Sequence, residues 1–168
     1  ATKLLTAISF CAALGIAPSV RAAEVIKIGT LAPAASPWGQ VFRIWAEAVS
    51  KKSSGQLELQ FFFNGQQGDE AAMVGKMKSG QLDGAAVTGV GLSKIYKPIL
   101  ALQIPGLFTN WAKLDAARDA MKGDFEKGIH DAGFKLVGWG DVGAVHLMSK
   151  GIQVKSPDDM KGQKPYMW

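Results

Sequence analysis

The stretch spanning residues 26–39 constrains the fold more than any other part of the chain. It begins with a β-branched run, passes Gly29, crosses a loop of small residues and reaches Ser36-Pro37. Serine can accept a hydrogen bond from the first turn of a helix, and proline suits the first helical position because its missing N–H would be unpaired there. The stretch predicts a strand, a loop and a helix start. The loop therefore lies at the carboxyl end of the strand, where open α/β sheets bind ligands.

The same alternation continues along the next fifty residues. Residues 57–63 alternate apolar and polar side chains before ending in three phenylalanines, which predicts a second strand. Asp69 is placed to cap a helix running to about Ser79 and ended by Gly80, and residues 82–87 predict a third, small-residue strand. Because a helix separates each strand from the next, the pattern indicates parallel pairing in an α/β fold.

The pattern is less regular after residue 97. Prolines interrupt apolar residues 99–108, which predicts short turns packed on the core. Helices are expected at 111–121 and 124–132, separated by Gly123 and ended by Gly133. A strand is expected at 134–139, extended chain at 140–150, a turn with a short helical piece at 157–162, and the start of another strand at 164–168.

Residues 1–23 have the features of a signal peptide. Lys3 precedes an apolar run that ends near residue 17. Val20-Arg21-Ala22 then resembles the small-x-small pattern found at signal-peptide cleavage sites. The run is shorter than the roughly 20 apolar residues that a membrane-spanning helix needs. We expect cleavage after Ala22 or Ala23 and export of the mature protein.

Charge and cysteine content exclude several classes of function. Removing Lys3 and Arg21 leaves 17 basic against 14 acidic residues, so the formal charge falls from +5 to +3. That charge is too small and too scattered for a nucleic-acid-binding surface. Cys11 is the only cysteine and lies in the leader, so the mature chain has neither a thiol nucleophile nor a cysteine zinc site.

One class of function to weigh is an exported enzyme, for example a hydrolase. The sequence has no Gly-x-Ser-x-Gly elbow for a hydrolase, and His130 and His146 are too few and too far apart for a metal site. Two acidic pairs, at residues 69–70 and 158–159, open predicted helices and are typical of caps. The glycines at residues 89 and 91 lack the Gly-Lys-Ser/Thr ending of a phosphate loop, which favours close backbone packing.

Six segments together resemble the solute-binding subunits of tripartite ATP-independent periplasmic (TRAP) transporters, the DctP-like group of family 7 extracellular solute-binding proteins. They occur in the right order across the whole mature chain. The segments are residues 27–29 with 36–38, residues 63–70, residues 80–84, residues 104–108, residues 133–139 and residues 156–164.

The resemblance implies a periplasmic binding protein-like (type II) fold of two α/β lobes with the solute held between them. Residues 24–147 would form the first lobe, and residues 148–168 a crossing strand and the start of the second. Family members are about twice this length, so the chain corresponds to their N-terminal half. The implied protein is not an enzyme and has no cofactor. It would deliver a small organic solute, by family default a carboxylate or dicarboxylate, to membrane permease subunits.

The resemblance also points to ligand-binding positions. In the first lobe these are the loop 33–38 with Ser36 and Trp38, then Gln66 and Thr88. Many family members carry an arginine clamp for a carboxylate at two positions that here read Val145 and Tyr166. Tyr166 and Trp168 could instead stack on a neutral or apolar solute.

Each of these positions also has a structural interpretation. Trp38 and Trp45 share one helical stripe, which favours core packing, and Gln66 belongs to ordinary turn chemistry. Two functional alternatives stay open at this point. The same fold could serve an ATP-driven importer or a sensor, and the solute could be neutral because both arginines are absent.

Overall fold

The computed structural model describes residues 22–143 and 146–164. Most of the predicted signal peptide, as well as Val145, Tyr166 and Trp168, lies outside the described residues. The elements in chain order are β1 (Glu24–Thr30), α1 (Pro37–Lys52), β2 (Leu57–Phe62), α2 (Glu70–Lys78), β3 (Gly84–Ala86), α3 (Gly89–Leu92), a 3₁₀ helix (Lys97–Gln103), α4 (Trp111–Asp131) and a second 3₁₀ helix (Pro157–Met160).

The three strands form one parallel sheet in the order β2-β1-β3. Ile28 of β1 lies opposite Phe61 on one side and Gly84 on the other. The central strand is the most enclosed, and its last three residues, Ile28 to Thr30, are buried. The parallel sheet confirms the α/β fold class expected from the sequence.

Helices α1 and α2 pack on opposite faces of this sheet. On one face, the Phe42 ring stacks on that of Phe61 with 4.9 Å between ring centroids. On the other, Met73 of α2 is fully buried against Gly29, where an added Cβ would lie 2.7 Å from the Met73 sulfur. The alternation of strand side chains therefore places aromatic packing on one face and a close backbone approach on the other.

The predicted helix starts are confirmed. The Ser36 hydroxyl accepts a hydrogen bond from the Gly39 N–H at 3.1 Å, and Pro37 is the first residue of α1. The Asp69 carboxylate accepts one from the Ala72 N–H at 2.7 Å and caps α2. The third strand is shorter than predicted and begins at Gly84. Asp83, directly before it, accepts a hydrogen bond from the Lys27 N–H with its carboxylate and donates one from its own N–H to the Lys27 carbonyl.

The prediction of two helices separated by Gly123 was wrong. Helix α4 runs without interruption from Trp111 to Asp131. Gly123 keeps a helical backbone, and its Cβ position faces open space, so nothing forces the helix to end there. The buried side chains of Phe125 and Ile129 anchor the second half of α4. The predicted end at Gly133 is confirmed by its left-handed φ of +85°.

The strand predicted at 134–139 does not form within the described chain. A β-strand gains its ladder hydrogen bonds from a neighbouring strand, and the described residues pair only β1, β2 and β3. Residues 134–139 have no assigned secondary structure, and the side chain of Val137 is exposed.

The chain divides into two compact units after Leu136. In the described part of the second unit, the regular element is the 3₁₀ helix Pro157–Met160, which confirms the predicted turn with a short helical piece. The assignment of residues 24–147 and 148–168 to two lobes stays a prediction.

Candidate functional site

The carboxyl ends of the three strands meet at one edge of the sheet. The strands end at Thr30, Phe62 and Ala86, and parallel pairing brings the segments that follow them side by side. We call these segments loop one (residues 31–36), loop two (residues 63–69) and loop three (residues 87–88, leading into α3), and together the three-loop edge. This is the position at which ligands bind in open α/β folds.

Loop one is held firmly against the start of α1. The carbonyl oxygens of Pro33 and Ala34 approach the backbone of Gly39 so closely that a Cβ there would lie within 2.6 Å of both. The Arg43 guanidinium, one and a half turns into the helix, donates a hydrogen bond to the Ala34 carbonyl at 2.8 Å. Arg43 is exposed and forms no ion pair with the described residues, so a positive charge lies against loop one.

Backbone hydrogen bonds join loop one to loop two. The N–H groups of Asn64 and Gly65 donate to the carbonyls of Ala32 and Thr30, each at 3.1 Å. Both donors have left-handed backbones, with φ values of +56° and +67°. Asparagine and glycine tolerate this conformation better than other residues, which is why the Asn-Gly pair suits the turn.

A buried carboxylate joins loop three to the start of α2. Glu70 is 6% exposed, and its two oxygens accept three hydrogen bonds. The donors are the Thr88 N–H at 2.7 Å, the Thr88 hydroxyl at 2.8 Å and the Gly91 N–H at 2.7 Å. A charged acceptor satisfied by three donors is a strong arrangement, since hydrogen bonds to charged groups are about twice as strong as neutral ones. All three loops thus form one hydrogen-bonded unit.

The hydroxyl protons of two expected ligand contacts are already used within the protein. The Ser36 hydroxyl donates to the Pro33 carbonyl at 2.6 Å while accepting from Gly39. The Thr88 hydroxyl donates to Glu70 and accepts from the Val90 N–H at 3.2 Å. A hydroxyl group has a single proton to donate, so neither Ser36 nor Thr88 can donate to a carboxylate ligand in this conformation.

The other two expected contacts in the described part of the chain keep free donors. The Gln66 side chain is exposed at the tip of loop two, and its amide makes no hydrogen bond with the described residues. Trp38 is half-buried, with its ring 5.7 Å from that of Phe42, so it belongs to the aromatic packing of α1. Its indole N–H has no partner among the described residues.

The remaining expected contacts, Val145, Tyr166 and Trp168, lie outside the described residues, and their role stays a prediction.

His130 is exposed near the end of α4, as expected. Within the described ranges, the acidic, histidine and cysteine side chains form no cluster that could hold a metal ion. Of the helices described here, none combines the length and the apolar character needed to cross a membrane.

Sequence reasoning missed the role of Glu70. The prediction that the acidic pair at 69–70 caps a helix is correct for Asp69 alone. Glu70 shares a helical stripe with the buried residues Met73 and Val74, at spacings of three and four. An acidic residue on the buried stripe of a helix was the signal that could have identified the role of Glu70.

The glycines of the Thr88–Gly91 segment pack closely, as expected: a Cβ on Gly91 would lie 2.6 Å from that of Val87.

Comparisons with known proteins identify relatives of about twice this length. A solute-binding protein of Chromohalobacter salexigens is 23% identical over 168 residues, and the match covers 96% of this chain and 50% of the relative. The chain therefore spans half the length of that relative.

Solved structures share the fold over two thirds of the chain. The sugar acid binding protein DctPAm of Advenella mimigardefordensis, in complex with galactonate, matches with a TM-score of 0.60 and 23% identity, covering 66% of this chain and 36% of that one. A TRAP periplasmic solute binding protein of Desulfovibrio salexigens, with bound orotic acid, matches with the same TM-score, identity and coverage.

The family model of the bacterial extracellular solute-binding protein, family 7, matches residues 28–164. This range begins in β1 and continues past the second 3₁₀ helix, so it includes the whole three-loop edge. The chain belongs to the bacterial extracellular solute-binding protein family 7.

Proposed function

We propose that this protein captures a small organic acid in the periplasm and delivers it to the membrane permease of a TRAP-type transporter. The observation that carries the proposal is the family match over residues 28–164, together with the position of the three-loop edge at the carboxyl ends of parallel strands. The proteins of similar fold that were solved with galactonate and orotic acid support an acidic solute.

The chemistry of the three-loop edge is compatible with an acid. The exposed guanidinium of Arg43 places a positive charge beside loop one, and the Gln66 amide and the Trp38 indole offer hydrogen-bond donors. A carboxylate accepts hydrogen bonds and donates none, so donors and positive charge are the groups that it requires. Enclosing the solute would make each unmatched polar group cost about 1–3 kcal/mol, which gives specificity.

Calorimetric titration of the intact gene product tests this proposal. The panel contains galactonate, glucuronate, orotate and succinate, with galactose and uracil as neutral counterparts of similar shape. We expect saturable binding of at least one acid and no detectable binding of its neutral counterpart. Binding of neutral compounds alone would contradict the proposed solute class, and the absence of binding to any small molecule would contradict the receptor function.

Delivery to a permease needs a separate experiment. Vesicles containing TRAP-type permease subunits from the same organism should accumulate the radiolabelled acid only when the binding protein is added outside. Uptake that is independent of the binding protein, or that requires ATP inside the vesicles, would contradict a TRAP-type partner.

A further inference from the structure

Glu70 is the most enclosed acidic side chain in the described part of the chain, and a helix cap does not account for its position. Asp69 already caps α2, with its carboxylate on the Ala72 N–H. Glu70 instead turns inward, is 6% exposed and accepts three hydrogen bonds from loop three and the start of α3. Burying a carboxylate is costly unless its oxygens are satisfied, so the three donors are required for the side chain to occupy this site.

The arrangement requires a carboxylate rather than an amide. One oxygen of Glu70 accepts from the Thr88 N–H, and the other accepts from both the Thr88 hydroxyl and the Gly91 N–H. A glutamine of the same shape has one oxygen and one NH₂ group, so it would direct its own donor at a donor of loop three. At least one backbone N–H would then lose its partner.

These hydrogen bonds connect two neighbouring parts of the three-loop edge. Glu70 is the first residue of α2, directly after loop two, and the buried side chains of Met73 and Val74 lie on the same face of that helix. Its partners lie 18 and 21 residues later, in loop three and α3. Glu70 therefore adds a side-chain connection between the start of α2 and loop three, beyond the pairing of β3 with β1 that carries loop three in the sheet.

We propose that Glu70 is a positioning residue for solute binding, because its carboxylate holds loop three in the binding conformation before the solute arrives. The inference rests on the proposed function. Glu70 does not contact the solute, since its oxygens are occupied and its side chain is buried. Preorganised loops bind more tightly because less conformational entropy is lost when the ligand is enclosed.

The test compares the Glu70→Gln variant with the wild type in the intact gene product, using the acid that binds in calorimetry. We expect the Kd of Glu70→Gln to rise at least tenfold. The control variant is Ile129→Val, which removes one methylene from a fully buried site on α4, away from the three-loop edge. It should lower the melting temperature and leave the Kd within twofold of wild type, which separates loss of positioning from loss of stability.

Amide hydrogen exchange provides the second measurement. In the ligand-free wild-type protein, the amides of Thr88 and Gly91 should exchange at least tenfold more slowly than they do in Glu70→Gln. If that variant does not fold, the wild type still decides the question. Exchange at both amides as fast as in an unstructured peptide, with or without ligand, would overturn the inference.

The two proposals fail in different ways. If the wild type binds an acid and Glu70→Gln binds it within twofold, the positioning role is wrong while the proposed function stands. If the wild type binds no acid, the proposed function fails, and the exchange of Thr88 and Gly91 alone decides whether Glu70 orders loop three.

Discussion

Ser36 and Thr88 are residues of the type expected of ligand contacts, yet each hydroxyl donates its proton to another group of the protein. The sequence predicted the cap at Ser36, because serine before proline at a helix start has a local meaning. It could not predict the bond between Thr88 and Glu70, because 18 residues separate them and only the folded sheet brings them together. Hydrogen bonds between residues close in sequence can be predicted from local patterns, whereas those between residues distant in sequence cannot.

We expect Gln66→Ala to weaken acid binding by about tenfold, which corresponds to about 1.4 kcal/mol. Gln66 is the expected polar contact whose amide stays free of other hydrogen bonds among the described residues. The matched control is Gln67→Ala in the same turn, because the Gln67 amide oxygen accepts from the Lys76 ammonium at 2.9 Å. Calorimetry should show an unchanged Kd for Gln67→Ala. Equal Kd values for Gln66→Ala and Gln67→Ala would show that Gln66 does not contribute to solute binding.

We also expect the turn at residues 155–161 to depend on the ionised form of Asp159. The backbone N–H groups of Lys155 and Ser156, and the Ser156 hydroxyl, donate to its carboxylate and hold the pKa of Asp159 below the ordinary value of 3.8. A lowered folded-state pKa means that the stabilisation is complete above 3.8 and is lost as the pH falls through the folded pKa.

The carboxyl ¹³C signal of Asp159, followed by NMR from pH 6 to pH 2, measures this dependence. Its midpoint should lie below 3.8, and the amide signals of Lys155 and Ser156 should shift with the same midpoint. Asp158→Asn serves as the control, since the Asp158 carboxylate pairs with Lys161 instead. A midpoint at or above 3.8 would contradict the hydrogen bonds described for this turn.

At the level of the elements, sequence patterns predicted structure where the signals were local. Helices α1 and α2, their caps and the parallel pairing of the first three strands follow from hydrophobic periodicity and turn residues, whereas the order of the strands in the sheet does not. The prediction of a helix end at Gly123 was wrong because the sequence alone does not show whether a glycine backbone is helical, as at Gly123, or left-handed, as at Gly133. The strand predicted at 134–139 failed because a strand needs a neighbour, which no local pattern specifies.

Two glycines of α4 should respond in opposite directions to substitution by alanine. Gly123→Ala should raise the free energy of unfolding by about 0.5–1 kcal/mol, because alanine favours the helix and the added Cβ meets open space. Gly128→Ala should lower it, because the added Cβ would lie 2.4 Å from the ring of Tyr96. Urea denaturation measures both. A destabilising Gly123→Ala would indicate that α4 is interrupted there.

At the scale of the whole molecule, the first compact unit presents donors and a positive charge along one edge of a three-stranded parallel sheet. The family match and the fold of the sugar-acid-binding relative explain why that edge is the site to test. We expect the identity of the solute to depend also on residues outside the three-loop edge. The expected contacts Val145, Tyr166 and Trp168 belong to that group, so specificity was the part of the function least accessible from this sequence.

Native mass spectrometry of the intact gene product, purified without denaturation from cells that produce it, tests the central claim most directly. The account predicts a one-to-one complex with a small molecule that is released on collisional activation and detected as a carboxylate in negative-ion mode. A bound neutral solute, or a protein that stays ligand-free after incubation with every acid of the calorimetric panel, would contradict it.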